Sequence, residues 1–445
     1  MKRYFLLLAC VSACASQPDA SADATATTTP SGAPILLGNP TTAPPLPAGT
    51  LPDPTKPEGT DLLPPVTHVV VLMMENHSYD NYFGMLSRGE GFTLDGNGQP
   101  TNHNPDANGA VVLAYHLTTT EQTANHVTQN WVSSHKQYDN GQMDGFAATS
   151  GKEGMGYWTG ADLPFYYSLA SVFPLCDRYF GSVLAQTLPN RRFLQAATAM
   201  GLLTTTVNFA DPAPAGGTIF DKLQKFNLSW FEYSAGEPEI GTFPPVFLAY
   251  SDHVKSIPDF LADAKAGTLP FFSLITPNGN VSEENPQDIH QGEAFSAGIL
   301  QALMASPNWP TMVVIFTYDE HGGYYDHVPP PPAFPPDDIP PDPAKAGGIA
   351  DGYDRLGFRV PTVIISPFAK ANYVSHVVHD HTSILRLVET KWNLGALTVR
   401  DANASNLLDM LDFVNAPAFL TPPKLADSAW PPNAIQVPPS DAGGP

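Results

Sequence analysis

The chain has 445 residues, 43 acids against 21 bases and a formal net charge of −22, and it is 42% hydrophobic and 10% aromatic. A nucleic-acid partner is excluded, because a phosphate-tracking groove needs clustered Lys and Arg and no basic run beyond the first three residues is longer than Arg191-Arg192. Disorder throughout is excluded too, since this apolar fraction supplies a large core and the length suits one big domain or two ordinary ones.

Met1-Lys2-Arg3 followed by Tyr4-Phe5-Leu6-Leu7-Leu8-Ala9 predicts an export signal, with an apolar stretch too short to cross a bilayer as a helix. Cys10 and Cys14 come next, each in a setting that resembles the lipobox of bacterial lipoproteins. Cys14 leaves the longer apolar run and is the expected lipidation site. Residues 1–14 are then the signal peptide, and the mature chain is held to a membrane by lipid, with no transmembrane helix. That places it in the periplasm or on the outer membrane or cell surface of a bacterium. A plain secretory signal with incidental cysteines is the alternative. After cleavage Cys176 remains without a partner for an intrachain disulfide, and its apolar neighbours predict a small buried side chain. Residues 15–65, rich in Ala, Thr, Ser and Pro, predict a disordered tether.

Four continuous apolar runs of strand length follow, His68–Met74, Pro270–Ile275, Thr311–Tyr318 and Arg359–Ser366, as expected of strands buried on both faces of a parallel sheet. Helical spacing appears in Glu293 to Ser306 and in Ser383 to Trp392, the latter with Asp380 or Thr382 as candidate N-cap. Strands alternating with helices predict an α/β fold with a mostly parallel central sheet flanked by helices, in a domain spanning 66–415. Nine prolines within 329–343 predict an extended loop directly after the third strand, and 416–445 reads as a Pro-rich tail.

Polar clusters follow two of these strands: Glu75-Asn76-His77-Ser78 after the first, Asp319-Glu320-His321-Gly322-Gly323 after the third. In open α/β sheets ligands sit beyond the carboxyl ends of the strands, so clusters far apart in sequence can converge. Hard carboxylate oxygens with an Asn carbonyl suit a divalent cation. Glu75 and Asn76 alone fit a capping or turn role equally well. The second cluster, with two glycines that let backbone approach a ligand, is harder to read as structural.

These stretches, Glu75 through Gly84 and Tyr318 through Pro330, closely resemble the bacterial phosphoesterase family. That family holds phosphatidylcholine-type phospholipases C and respiratory-burst-inhibiting acid phosphatases of the alkaline-phosphatase superfamily. His135 through Phe146, Thr187-Leu188-Pro189-Asn190-Arg191, Arg359 through Pro367 and Asp380-His381-Thr382-Ser383 resemble further blocks of it, in order, over about residues 66–395. The resemblance implies an alkaline-phosphatase-like fold and hydrolysis of a phosphate ester or phospholipid with help from a divalent metal ion of unknown identity. It sets Thr187 at the nucleophile position, forming a phosphothreonine intermediate, and Glu75, Asn76, Asp319 and Glu320 at the metal site. Read without it, Thr187 before Pro189 is a turn residue. His381 is the candidate to contact the phosphoryl group or protonate the leaving oxygen, and Asp380 to orient it or bind metal. His126 and His135 lie in the block where the family places a site histidine, though the spacing there does not match cleanly.

Asn190 and Arg191 are candidate substrate contacts, with Arg191 equally able to hold a carboxylate in the fold. His321 and His327 are open between site and scaffold. One departure stands out: family members often show His-Pro where this chain has Asn285-Pro286, so Asn285 is a candidate substrate contact without proton donation, and His290 a candidate substitute. The short tail after the last motif favours the compact acid-phosphatase-like branch. The rival reading is a surface lipoprotein of the same fold that binds a phosphorylated ligand without turnover.

Overall fold

The computed structural model describes residues 44–122 and 127–432. The expected signal, Cys10, Cys14, the first part of the tether, His126 and the end of the tail lie outside the described residues.

Eight strands form the main sheet: β1 (His68–Met74), β2 (Leu175–Cys176), β3 (Trp230–Ser234), β4 (Val254–Ser256), β5 (Phe272–Thr276), β6 (Met312–Tyr318), β7 (Val363–Ile365) and β8 (Val374–Ser375). Their order is β8-β2-β7-β6-β1-β5-β3-β4. β1 lies at the centre, parallel to β6 on one side and to β5 on the other. β5 and β6 are buried along their whole length, as is β1 after His68. Helices and loops cover both faces, which is why these strands read as unbroken apolar runs instead of alternating. β3 and β4 continue the parallel side. β7 runs antiparallel to both β6 and β2, and β8 runs parallel to β2. The α/β class and mostly parallel sheet agree with the expectation. The fourth apolar run does not become a full strand: Val363–Ile365 joins the sheet and Arg359 makes an isolated bridge to Phe180, with Pro361, which has no N–H for a ladder, between them.

Four helices matter for the site: α1 (Tyr79–Phe83), α2 (Thr187–Ala196), α3 (Ile289–Met304) and α4 (His381–Trp392). α3 starts before the apolar spacing shows, because the Asp288 carboxylate caps it by accepting the His290 N–H at 2.9 Å. Asp380 caps α4, its N–H donating to Ser383 Oγ at 3.1 Å. Cys176 is buried and unpaired, and burial pushes its thiol well up, as expected of an inert core thiol.

Composition misleads at 44–65, which is not a loose tether. Gly49 N–H donates to Ala396 O at 2.8 Å, Asp53 N–H to Asn393 Oδ1 at 2.8 Å, and Lys391 Nζ to Asp61 Oδ1 at 2.6 Å. The segment buries little, but its backbone groups are satisfied by the end of α4. The start of the tail is held as well: the Phe419 ring packs at a tilt against Phe173, centroids 4.7 Å apart, and Ala429 N–H donates to Glu293 Oε2 at 2.9 Å.

Candidate active site

β1 and β6 end in register, Met74 opposite Tyr318, so Glu75-Asn76 and Asp319-Glu320 leave the sheet side by side at its carboxyl edge. The Asn76 N–H donates to Asp319 Oδ1 at 3.1 Å. Asn76 has φ 71°, which an Asn tolerates in so tight a turn. Gly322 is required here: at φ +65° it passes so close to the Asn76 carbonyl that a Cβ would lie 1.8 Å from that oxygen. Its N–H donates to Glu320 Oε2 at 2.8 Å, turning the Glu320 side chain back onto the loop.

Electrostatically the group is far out of balance. Burial pushes the Glu75 carboxyl up to about 8, Arg191 pulls against that, and the Asp319 and Glu284 charges add to it. Glu320 is held well above the usual carboxylate range by burial and then by Asp319, and Glu284 is raised for the same reasons. Against these acids stands Arg191, whose Nε lies 3.1 Å from Asp319 Oδ2, Nη2 3.3 Å from Glu75 Oε1 and Nη1 2.7 Å from Glu239 Oε2. Asn76 Oδ1 and Glu320 Oε1 are buried acceptors with no hydrogen-bond partner among the described residues. Crowded carboxylates with two orphaned oxygen acceptors are the donor set of a hard divalent cation, so these residues fit one.

Thr187 opens α2 and is half-buried, in contrast to the fully buried Asn190 and Arg191 further along the helix. Arg191 lies one turn on from Thr187, at the i+4 position of the same helix. Asn190 braces the preceding loop: its Oδ1 accepts from the N–H groups of Ser182 and Val183 at 2.8 and 3.1 Å, and its Nδ2 donates to Ala185 O at 2.7 Å. Both ends of this amide bond backbone, so Asn190 shapes the loop that leads into α2. Arg400 ties the same loop to the Pro-rich insertion, donating to Ser182 O at 2.8 Å and to Phe334 O at 2.5 Å.

The sequence pattern of the phosphoesterase family matches residues 66–395. The chain belongs to the phosphoesterase family. Curated relatives include phospholipase C A of Mycobacterium tuberculosis, 30% identical over 80% of this chain and 78% of that protein. Non-specific phospholipase C1 of Arabidopsis thaliana is 30% identical over 82% and 74%. This member is a hydrolase of phosphoester bonds. Among solved structures, an alkaline phosphatase superfamily protein from Vibrio parahaemolyticus aligns over 73% of this chain and 76% of its own, with 11% identity and a TM-score of 0.38.

The remaining candidates of this phosphoesterase are placed as follows. His381 is fully buried, its Nε2 2.7 Å from Asp319 O and its Nδ1 3.4 Å from Tyr179 Oη, and burial lowers its pKa. It therefore meets the site as a neutral ring donating to the Asp319 backbone. The Asp380 carboxylate accepts from Ser182 Oγ at 2.8 Å and does not reach this ring by a hydrogen bond. Asn285 Nδ2 donates to Tyr324 Oη at 3.3 Å. His290 Nε2 lies 2.8 Å from Asp162 O, with its ring beside Trp430. His135 pairs with Asp351 at 2.7 Å, and His321 Nε2 bonds Gln137 at 2.8 Å.

Away from the strand-end carboxylates, Asp80, Asp326 and His327 form a cluster that does have ligand-like spacing. Arg359 already occupies it, 3.0 Å from Asp80 Oδ1 and 2.9 Å from Asp326 Oδ1, and Asp80 and its partners raise the His327 pKa to about 9 despite the opposing effect of burial. Two acids against two cations make this a closed scaffold.

Sequence reasoning missed Glu284, Glu239 and Glu283. Glu283 is buried under three tyrosines, Tyr82 and Tyr318 donating to Oε2 at 2.7 Å and Tyr166 to Oε1 at 2.6 Å. It anchors the loop that brings Glu284 and Asn285 to the site, and Glu75 N–H donates to Ser282 O at 3.0 Å in the same loop. The one signal was the acidic pair Glu283-Glu284 beside a proline, in a stretch without periodicity.

Proposed function

We propose that this phosphoesterase is an exported, cation-dependent enzyme that hydrolyses phosphate esters through Thr187, with Glu75, Asn76, Asp319 and Glu320 as the cation ligands. The observation that carries the reading is the pair of orphaned acceptors, Asn76 Oδ1 and Glu320 Oε1, inside a buried acidic group with one nearby guanidinium. A divalent cation bound there would lower the pKa of a hydroxyl it touched and neutralise phosphoryl oxygens. The chain's own groups supply the rest. Thr187 Oγ attacks phosphorus, the bond to the leaving alcohol breaks and that oxygen takes up a proton; water then cleaves the phosphothreonine and frees Thr187. The N-terminal end of the ten-residue α2 favours the anionic phosphoryl group beside Thr187. His381 holds the Asp319 backbone in place.

Relatives named as phospholipases C support a phospholipid or related diester as the substrate class. Export rests on the apolar N-terminal stretch, and lipid anchoring on Cys14. Among the described residues no helix is long and apolar enough to cross a membrane.

The deciding experiment compares hydrolysis of p-nitrophenyl phosphate, its choline phosphodiester analogue and phosphatidylcholine by the full chain and by Thr187→Ala, with metal content determined on the same preparations. Turnover of the choline esters, lost in Thr187→Ala, establishes phospholipase C activity, and turnover of the monoester alone makes it a phosphatase. Metal-loaded protein that turns over none of them supports ligand binding without turnover, the reading favoured by Asn285 in place of a proton-donating histidine.

A further inference from the structure

Of the three carboxylates around Arg191, two, Glu75 and Asp319, belong to the strand-end group, while Glu239 comes from elsewhere. It opens the short turn Glu239–Thr242 after β3 and is 4% exposed. Main-chain bonds fix it on both sides: its N–H donates to the Glu232 carboxylate, and its carbonyl accepts from Gln195 Nε2 at 3.0 Å. Its Oε2 makes the shortest ion pair that Arg191 has, at 2.7 Å, and Arg191 Nη2 also donates to Met74 O at 3.2 Å.

A guanidinium and a divalent cation compete for the same carboxylate oxygens, and in a buried site that competition is strong. With Glu239 present, one guanidinium faces three acids and the group keeps a surplus of two negative charges before Glu284 and Glu320 are counted. Without it, Glu75 and Asp319 become Arg191's sole counter-ions in this set and the surplus halves.

We propose that Glu239 is a positioning residue for the cation site: by holding Nη1 through Oε2 it gives Arg191 a counter-ion from outside the strand-end carboxylates, leaving Glu75 and Asp319 able to bind a divalent cation. This rests on the reading of Glu75 and Asp319 as ligands.

The test is calorimetric titration of the EDTA-stripped full chain with Mn2+ and then with Ca2+, for wild type, Glu239→Gln, Glu239→Asp and the double variant Glu239→Gln/Arg191→Gln. Glu239→Gln is expected to bind about tenfold more weakly while still unfolding cooperatively, and Glu239→Asp to fall between it and wild type. The double variant is expected to regain most of the affinity, because the competitor leaves together with its counter-ion; a merely structural role for Glu239 predicts no such recovery. Equal affinity in wild type and Glu239→Gln, or no recovery in the double variant, overturns the proposal. If Glu239→Gln does not fold, Glu239→Asp decides, and wild-type affinity there overturns it. A wild-type chain that binds neither ion overturns the cation reading itself, a result distinct from the first two.

Discussion

The Asn76 N–H donates to Asp319 Oδ1 across 3.1 Å although 243 residues separate them in the chain. The same carboxylate accepts the Glu320 N–H at 2.8 Å through Oδ1 and Arg191 Nε at 3.1 Å through Oδ2. Asp319 thus joins two loops and a helix before any ligand arrives. Its substitution strikes both the shape of the site and its charge. Asp319→Asn is expected to lower kcat/KM by at least about 10²–10³-fold, the cost of removing one preorganised charge-stabilising group. Calorimetric loss of Mn2+ binding should accompany it; an unchanged isotherm would remove Asp319 from the ligand set.

Thr187 separates chemistry from stability. The residue is half-buried at a helix start, so Thr187→Ala should change stability by no more than about 0.5 kcal/mol while abolishing turnover. Thr187→Ser keeps a hydroxyl and should retain activity. Quenching the reaction in acid and locating phosphate on the Thr187 peptide checks the intermediate directly.

The pH dependence of stability has an unusual sign. Burial raises Glu283 to about 8 and Glu232 to about 7 in the folded chain, against about 4.5 for an exposed Glu. The folded state therefore holds protons that the unfolded chain has already released, and stability falls as pH rises from about 4.5 to about 8. Thermal melts in chelator should show Tm declining across that window, by about 2–4 °C per kcal/mol lost. Glu283→Gln should flatten the decline; a Tm that rises through the window would contradict the buried, protonated carboxyls.

Arg359 carries the closed scaffold at Asp80 and Asp326, and all three side chains are fully buried. Arg359→Met leaves Asp80 and Asp326 with His327 alone beside them and Asp326 without its guanidinium partner, and is expected to cost about 3–5 kcal/mol. Urea unfolding measures it. On the proposed assignment of the cation to Glu75, Asn76, Asp319 and Glu320, metal addition should not rescue this variant.

Adding Mn2+ to the metal-stripped wild type should raise Tm, because a ligand of the folded state alone stabilises by mass action. The gain should shrink as pH falls below about 8, where protons compete for Glu75, whose carboxyl burial has raised to about 8.

The strands that could be read from sequence are those buried on both faces: His68–Met74 matches residue for residue, and Met312–Tyr318 to within one. β3 and β4 escaped because Glu232 and Lys255 interrupt them, each with a partner in the folded chain that no local pattern reveals. Glu75, Asn76, Asp319 and Glu320 were legible since polar residues abruptly follow apolar runs. Glu239 and Glu283 were not, for their burial depends on Arg191 and on tyrosines from three other segments. His290 and Asn190 carried suggestive side chains whose partners turned out to be backbone carbonyls and amides.

The central position of β1 also bears on how the enzyme is made. Its first neighbour, β5, is synthesised roughly 200 residues later, about 10–40 s at ordinary translation rates. During that interval Val69–Met74 is an apolar strand with two unmet edges, a natural client for chaperones that keep a nascent polypeptide soluble. Its other neighbour, β6, is made later still, so the pairing that brings Glu75-Asn76 beside Asp319-Glu320 forms only when the last third of the sequence has joined the sheet.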